Sequence, residues 1–297
     1  MFRPATDADI DALTALLARD EDYTLGRPST LTPADLRAWL SSVDLSRNSW
    51  VAEQNGRPVA FGWILRRGDL ATGVGAIDPE TRGRGLGSAL LDRIERRARG
   101  TGAQRLQQIV LVGDVGGPGL LQSRGFREVR RFYEMAIELV GSLPDPVVAD
   151  GYTLETFREE EAREYFAAED EAFRDHWEHH PRPFEEWWQE NRSQPEYDPT
   201  FWFLIRTADG EIAATARTDP NRNGGSWINA LGVRRRHRRR GLAKALLVHT
   251  FAESQRRGMN RVSLGVDAQS QTGASQLYKT VGMTPTLETI TYEKPLA

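Results

Sequence analysis

The stretch VRRRHRRRGLAKALL at residues 233–247 decides the fold of this chain, because a related stretch lies 156 residues earlier. That earlier stretch is IDPETRGRGLGSALL at residues 77–91. The spacing persists downstream, since Gly102 precedes Gly258 by the same 156 residues. A repeat of this length is a whole domain and not the unit of a solenoid. The 297-residue chain is therefore predicted to contain two copies of one domain of ordinary size.

Proline and glycine mark the join between the two copies. Residues 141–146, GSLPDP, have the composition of a linker. We therefore expect an N-terminal domain at residues 1–142 and a C-terminal domain at residues 150–297. Strand-like alternation and helical spacing follow one another in the same order in both copies, with hairpin turns at residues 55–56 and 208–210. This pattern predicts a mixed α/β sheet with helices packed on it.

Each repeated stretch is predicted to run from a strand through a turn into a helix. The N-terminus of a helix presents backbone N–H groups without internal partners, and its dipole attracts anions. Gly241 lets the backbone approach a phosphate closely, and Arg238 adds a charged hydrogen-bond donor. The turn differs from a Walker loop and from a dinucleotide-binding fingerprint. It therefore predicts a site for the pyrophosphate of another cofactor.

The two turns resemble the acyl-CoA motif of the GNAT superfamily, Arg/Gln-x-x-Gly-x-Gly/Ala. The motif occurs as Arg82-x-x-Gly85-x-Gly87 and as Arg238-x-x-Gly241-x-Ala243. The resemblance covers nearly the whole chain and implies two tandem GNAT folds, as in two-domain bacterial members of the superfamily. It implies acyl-CoA, with acetyl-CoA as the first expectation, as the co-substrate.

The resemblance also implies which residues contact acyl-CoA. In the second copy they are Leu231, Val233, Arg238, Arg239, Arg240, Gly241, Leu242, Ala243, Lys244, Ser270 and Ala274. In the first copy they are Ile77, Arg82, Gly83, Arg84, Gly85, Leu86 and Gly87. Ser270 stands where the family often has asparagine, which departs from the usual contact to the pantetheine arm.

Only the second copy keeps the residue that the family uses as an acid. Tyr278 lies four residues before Gly282, in the register from which a GNAT tyrosine protonates the departing CoA thiolate. The matching residue of the first copy is Leu121, four residues before Gly125. Leucine has no proton to donate. The resemblance therefore implies a catalytic second domain and a degenerate first domain, although a core position for Tyr278 is the alternative reading.

The region from residue 173 to 202 is the candidate acceptor pocket, because GNAT domains admit their acceptor over the first two helices. We name His176, Trp177 and Trp187 as residues that line it. Packing of the tryptophans in the core is an equally simple explanation. Histidines at 176, 179 and 180 have helical metal-ligand spacing, but Pro181 interrupts that helix and no further ligand is fixed. We therefore expect no metal.

Composition excludes several other classes. The net charge is −3 and no cysteine is present, which argues against general nucleic-acid binding and excludes a cysteine nucleophile. The arginine run at 234–240 leaves a nucleic-acid contact or a solvated charge run as minor alternatives. The first residues lack the pattern of a signal peptide, and no apolar run approaches the length of a membrane span. We expect a cytoplasmic monomer or homodimer without nucleic-acid or membrane partners.

The expected activity is transfer of an acyl group from acyl-CoA to the amine of a small-molecule or peptide acceptor. Because no cysteine can form an acyl-enzyme, the amine is expected to attack the thioester directly. Glu171 and Asp267 are candidate bases that no spacing singles out. The alternative is a CoA-binding regulatory or scaffold protein in which neither domain is catalytic.

Replacement of Gly241 by aspartate tests the phosphate turn of the second copy. We expect Gly241→Asp to abolish acyl-CoA binding there, because the side chain intrudes on the backbone approach and its carboxylate repels the pyrophosphate. Isothermal titration calorimetry with acetyl-CoA measures the loss. Unchanged affinity in a folded variant would contradict the assignment.

Overall fold

The computed structural model describes residues 1–177, 179–194, 196–222, 224–270 and 273–296. The chain forms two compact units. Unit 1 consists of residues 1–132 together with the residues from 287 onward, and unit 2 consists of residues 133–286. Each unit is a mixed sheet with helices on both faces, which confirms the α/β fold class expected from the sequence. The division into domains at residues 142–150 stays a prediction.

Unit 1 has the strand order β1-β2-β3-β4-β5-β12, in which β12 is Thr284–Pro295. Its elements before the last strand are β1 (Phe2–Arg3), α1 (Ile10–Leu25), α2 (Pro33–Leu40), α3 (Leu45–Asn48), β2 (Ser49–Gln54), β3 (Arg57–Arg67), β4 (Leu70–Ile77), α4 (Leu86–Gly100), β5 (Arg105–Leu111) and α5 (Gly117–Ser123). Neighbouring residues of β3 serve opposite faces, since Ile64 packs in the core under α4 and Trp63 packs in the core under α1 and α2. This alternation along a strand is what places helices on both sides of the sheet.

Unit 2 repeats the plan with the strand order β6-β11-β10-β9-β8-β7, in which β6 is Arg127–Glu138. Its elements are β7 (Tyr152–Thr156), α6 (Ala162–Phe173), α7 (Phe184–Arg192), β8 (Trp202–Thr207), β9 (Ile212–Arg222), β10 (Gly225–Val233), α8 (Leu242–Arg256), β11 (Arg261–Asp267) and α9 (Ala274–Thr280). Aromatic side chains dominate the core under α6 and α7, whereas the core under α8 combines aliphatic side chains with Phe201 and Phe203.

The last strand of each unit comes from the other copy of the repeat. Strand β6 (Arg127–Glu138) begins in unit 1, and its residues from Tyr133 onward belong to unit 2. There Met135 is fully buried against the core of α8 and β11. Strand β12 (Thr284–Pro295) ends in unit 1, where Ile290 and Tyr292 complete the core under α4 and pair with β5. Each core is therefore closed by residues that lie in the other half of the sequence.

Alanine substitutions in these two strands test the assignment of each strand to its unit. We expect Ile290→Ala to destabilise unit 1 by about 2–5 kcal/mol, because it leaves a cavity among the residues of α4 and β5. Met135→Ala is the matched change for unit 2, where it opens the core beneath α8. Hydrogen exchange should accelerate in α4 and β5 for Ile290→Ala and in α8 and β11 for Met135→Ala. The reverse pattern would contradict the assignment.

Candidate active site

Both phosphate turns expose the N-terminus of a helix. Gly241 is the N-cap of α8 with φ 79°, and Gly85 is the N-cap of α4 with φ 81°. Neither cap supplies a side chain to the first N–H groups of its helix. A Cβ atom at either glycine would meet nothing within 4 Å. The two turns therefore present unsatisfied backbone donors to open space, which is the arrangement that binds a phosphate.

The first arginine of each motif holds the turn to a neighbouring helix. Arg238 donates to the backbone oxygens of Val233 at 3.1 Å and Ala172 at 3.2 Å, which ties the turn to β10 and α6. Arg82 forms an ion pair with Asp20 of α1 at 2.6 Å. Both side chains are thus used within their own units. Contacts to phosphate fall to the backbone N–H groups and to the remaining cations of the turn.

The rest of the arginine run divides into paired and unpaired members. Arg234, Arg235 and Arg236 form ion pairs with carboxylates of α6, of the segment after it and of the turn that precedes β9. Arg239, Arg240 and Lys244 form no ion pair with any residue that the structure describes. Arg239 also has φ 64°, a left-handed conformation that is rare outside glycine. The unpaired cations surround the N-terminus of α8, where an anion would lie.

Unit 1 contains a cleft of about 490 Å³ beside its phosphate turn. Most of the residues expected to bind acyl-CoA in the first copy line it, namely Ile77, Arg82, Gly83, Gly85, Leu86 and Gly87. Arg84 is not among the lining residues. Leu121 and Gln108 also line it, and Asp20 and Asp114 lie beside Arg82. Burial raises the pKa of Asp20 to about 6 in spite of the neighbouring guanidinium of Arg82.

In both units, parallel strands part beside the phosphate turn. Strands β4 and β5 pair as far as Gly73 and Gln108, and strands β10 and β11 pair as far as Ile228 and Leu264. Beyond these points the two strands of each pair continue, but their residues no longer pair with each other. The N–H and C=O groups along the parted edges therefore have no partner in the facing strand. Such an edge can bind an extended ligand arm as an added strand would.

Strand β10 contains a bulge that sets unit 2 apart. Ile228 and Ala230 oppose Thr218 and Arg217, which are consecutive in β9, so Asn229 has no opposite residue. One residue in excess bends the strand and frees its backbone groups from the ladder. In unit 1, the pairing of β3 with β4 runs from end to end without a shift. The bulge lies next to the point where β10 and β11 part.

The registers of the parallel pairs show that Asn229 is an insertion relative to the first copy. Ala71 and Ser226 hold equivalent positions in β4 and β10, 155 residues apart, because their partners in β5 and β11 are equivalent. After the bulge, the separation from Ile77 to Val233 is 156 residues. The two separations differ by one residue, which is the residue inserted at the bulge. The two repeated stretches, residues 77–91 and 233–247, begin after Asn229, so they do not show the insertion.

Tyr278 lies on α9 in the core of unit 2, next to the parted strands. Its side chain is 7% exposed and packs with Leu264, Val266 and the partly buried Leu231 and Ala274. Its hydroxyl has no hydrogen-bond partner among the residues that the structure describes. Burial raises the pKa of Tyr278 to about 12. The phenol therefore keeps its proton at neutral pH, as a general acid must.

Other residues predicted to contact acyl-CoA belong to the clusters around Tyr278 and α8. Leu242 is buried with Leu231 and Val233 packed against the same cluster. Ser270 donates its N–H to the backbone oxygen of Asp267 at 3.1 Å. Residues 271 and 272 of the second motif lie outside the described residues. Leu231, Ala274 and Tyr278 are thus brought together by the fold, although 47 residues separate the first from the last.

The three residues expected in the acceptor pocket have different surroundings. Trp187 is 1% exposed, stacks on Tyr165 and donates Nε1 to Glu169 Oε1 at 3.1 Å. His176 is exposed beside the ring of Phe173, and Trp177 is partly buried. Among the described residues, no group of three or more histidine or acidic side chains is placed to hold a metal ion. The role of these residues in the pocket stays a prediction.

A buried ion pair that the sequence did not indicate lies on the face of the sheet that α6 and α7 cover. Arg217 of β9 contacts Glu169 of α6 at 3.2 Å and donates to Asn191 of α7 at 2.6 Å. Its partners come from segments 26 and 48 residues away, so no local pattern could have shown it. Breaking such a pair leaves an uncompensated buried charge. The contact fixes α6 and α7 to the sheet at the expected acceptor side.

The candidate bases differ in their electrostatic surroundings. Glu171 is paired with Arg234 at 2.6 Å, and this hydrogen-bonded guanidinium holds the pKa of the carboxyl below its usual range. Asp267 is 2% exposed and accepts from the N–H of Gln269 at 2.8 Å. Neither carboxylate is a free group at the bulge.

Comparisons with known proteins agree with this architecture. The profile of the acetyltransferase (GNAT) family matches residues 12–126 and 154–283, so the chain belongs to that family. A mycothiol acetyltransferase of Thermobispora bispora is 29% identical over 231 residues, which span 74% of this chain and 75% of the relative. A GCN5-related N-acetyltransferase from Sphaerobacter thermophilus is 29% identical with a TM-score of 0.88, covering 100% of this chain and 95% of that one.

A tandem GNAT protein from the clavulanic acid biosynthesis pathway shares the fold. It has a TM-score of 0.77 at 17% identity and covers 100% of this chain and 98% of its own. The protein is therefore a tandem GNAT acetyltransferase that transfers an acyl group from acyl-CoA to an amine. Acetyl-CoA is the co-substrate of GNAT acetyltransferases. Among the described residues, no helix is long and apolar enough to cross a membrane.

Replacement of Tyr278 by phenylalanine tests its role as acid. We expect Tyr278→Phe to slow the chemical step by at least about tenfold and up to about 10⁴-fold, because it removes the proton donor and keeps the ring. Acetyl-CoA affinity should stay within a few-fold. Because the pKa is about 12 and the active form is protonated, the wild-type rate should not fall on this account up to about pH 10. Single-turnover rates measured against pH provide the check, and a wild-type rate in the variant would make Tyr278 a packing residue.

Proposed function

We propose that unit 2 carries out the acyl transfer and that unit 1 binds acyl-CoA without turning it over. One observation carries this proposal: Tyr278 and the bulge at Asn229 both lie beside the point where β10 and β11 part. Unit 1 has Leu121 in place of the tyrosine and an unbroken β3–β4 ladder in place of the bulge. The proposal assigns an acid and a bent strand edge to unit 2 alone.

The proposed position of acyl-CoA in unit 2 follows from the phosphate turn and from the parted strands. The pyrophosphate lies at the N-terminus of α8, held by the first N–H groups and by Arg239, Arg240 and Lys244. The pantetheine arm runs along the parted edge of β10 past Val233 and Leu231. Four strand residues span roughly 13 Å, which brings the thioester to the bulge. Ser270 and Ala274 lie on the opposite wall of this path.

The proposed reaction needs no covalent enzyme intermediate. The amine attacks the thioester carbon and forms the new C–N bond, while N–H groups of β10 at the bulge stabilise the developing oxyanion. A carboxylate acting through water accepts the proton of the amine. The C–S bond then breaks, and the hydroxyl of Tyr278 protonates the thiolate. We propose an acetyl group as the acyl group and a small-molecule or peptide amine as the acceptor.

Unit 1 is proposed to have lost this chemistry at the same places. Gln108 fills the point where β4 and β5 part, since a Cβ atom at Gly73 would lie 2.2 Å from its Nε2. Leu121 supplies no proton. The cleft and the exposed helix N-terminus nevertheless persist. These features support binding of acyl-CoA without transfer.

A matched pair of glycine variants tests the division of labour. Gly85 and Gly241 share the same backbone conformation and the same open surroundings, so aspartate imposes equal strain in both units. We expect Gly241→Asp to lower kcat/KM for amine acetylation by at least about 100-fold, because binding and chemistry share one site. Gly85→Asp should stay within about twofold. Release of CoA thiol measures both rates, and circular dichroism checks folding.

The opposite result would contradict the proposal. A loss of turnover in folded Gly85→Asp as large as that in Gly241→Asp would place the chemistry in unit 1 or make the two sites strictly coupled. Calorimetry with acetyl-CoA on the same two variants separates these outcomes from a simple loss of binding.

A further inference from the structure

The residue inserted at the bulge belongs to a polar cluster on the acceptor face of unit 2. Arg222, at the end of β9, donates through Nη1 to Asn229 Oδ1 at 2.9 Å and to Asp219 Oδ2 at 3.3 Å. The same guanidinium lies 5.1 Å from the centre of the Trp227 ring. Three neighbouring contacts therefore fix Arg222 beside the bulge. Asn229 is held with its oxygen turned towards Arg222.

The cluster lies on the side of the sheet that α6 and α7 cover. Asp219 alternates with Arg217 along β9, and Arg217 contacts α6 and α7. Residues two apart in a strand share a face. Trp227 is opposite Asp219 in β10 and shares that face as well. The cluster and the buried ion pair thus form one polar surface next to the place proposed for the thioester.

Two hydrogen-bond donors of the cluster are buried without a partner. Nδ2 of Asn229 and Nε of Arg222 have no acceptor among the residues that the structure describes. Leaving a buried donor unsatisfied is costly, so such groups in native proteins usually meet a ligand or water. Both orphaned groups are donors. A ligand that satisfies them must therefore supply an acceptor atom, and oxygen is the commonest acceptor for an N–H donor.

The charge of the cluster limits what that oxygen can be. The carboxylate of Asp219 compensates the guanidinium of Arg222, and Glu169 compensates Arg217 in the same way. A ligand carboxylate would meet no uncompensated positive charge here and would face Asp219. A neutral hydroxyl or carbonyl oxygen meets two donors and no repulsion.

We propose that Asn229 and Arg222 select acceptor amines that carry a neutral oxygen, a hydroxyl or a carbonyl, close to the nitrogen that is acylated. The inference rests on the proposed assignment of catalysis to unit 2. Asn229 arises from the one-residue insertion that distinguishes β10 from β4, so the same insertion that bends the strand also supplies the selecting side chain. Unit 1 has no counterpart of Asn229.

Pairs of amines that differ in oxygen test the selection. D-glucosamine and cyclohexylamine report on hydroxyls, and alaninamide and 2-aminobutane report on a carbonyl. We expect the wild-type protein to favour the oxygenated member of at least one pair. In Asn229→Leu, which keeps the size of the side chain and removes its donor, the ratio of kcat/KM within that pair should fall by about tenfold, the worth of one such hydrogen bond.

Two further variants guard against loss of folding and unspecific effects. Arg222→Lys keeps the charge next to Asp219 but lacks Nε, and it should lower the same ratio. Gln122→Leu removes an exposed amide in unit 1 and should leave the ratio unchanged. Thermal unfolding of all three variants shows whether unit 2 is intact. An equal loss of turnover for both members of a pair would overturn the inference and leave Asn229 as a structural or oxyanion-binding residue.

Failure of the inference and failure of the proposed function give different results. An unchanged ratio in Asn229→Leu, with impaired turnover in Tyr278→Phe, overturns the inference alone. Unimpaired turnover in Tyr278→Phe and Gly241→Asp overturns the proposed function. If no amine in the panel is acetylated, calorimetry with D-glucosamine and alaninamide on CoA-saturated protein decides the matter. Weaker binding of either amine in Asn229→Leu supports the selection, and equal binding or none to the wild type overturns it.

Discussion

The parting of two parallel strands is the constraint on which the site depends. A parallel ladder satisfies the backbone groups of both strands, and burial of any group left over is costly. In unit 2 the ladder of β10 and β11 stops after Ile228 and Leu264. The edges beyond this point hold donors and acceptors that a ligand arm can satisfy. Helices α8 and α9 begin beside the two parted strands, so the phosphate turn and Tyr278 border the same opening.

The two units differ little around the opening between their parted strands. Both have a glycine N-cap in the left-handed region, a motif arginine tied to a neighbouring helix, and strands that part. They differ at the point where the two parallel strands part. Unit 2 has one inserted residue and a buried tyrosine there, whereas unit 1 has the amide of Gln108 and the side chain of Leu121. A bend in one strand and one hydroxyl account for the proposed difference in chemistry.

Polar groups on the acceptor face are arranged in compensated pairs. Arg217 with Glu169 and Arg222 with Asp219 bring no net charge to the surface beside the bulge. Such pairs contribute little net stability when buried, but they fix the geometry of the elements that they join. Here they fix α6 and α7 and the end of β9 against β10. This rigidity is what allows two unsatisfied donors to remain in defined positions.

The sequence alone indicated the fold class and the duplication, because local patterns and one long repeat carry both, and the phosphate turns are predicted from the same local patterns. Glycine at a helix N-cap and a tyrosine in register with Gly282 are properties of neighbouring residues. The domain boundary and the part played by His176, Trp177 and Trp187 stay predictions. Trp187 shows why the surroundings of such residues cannot be predicted from their sequence neighbours. Its burial depends on Tyr165 and on Glu169, which lie in another helix.

Only the tertiary structure decided which strand completes each sheet and where β10 gains its extra residue. Ile290 closes the core of unit 1 and Met135 that of unit 2, because strand pairing joins segments without regard to their distance along the chain. The bulge at Asn229 becomes visible only when β10 is aligned with its neighbours on both sides. Pairing across a sheet is a non-local property, and the site of this protein is built from such pairings.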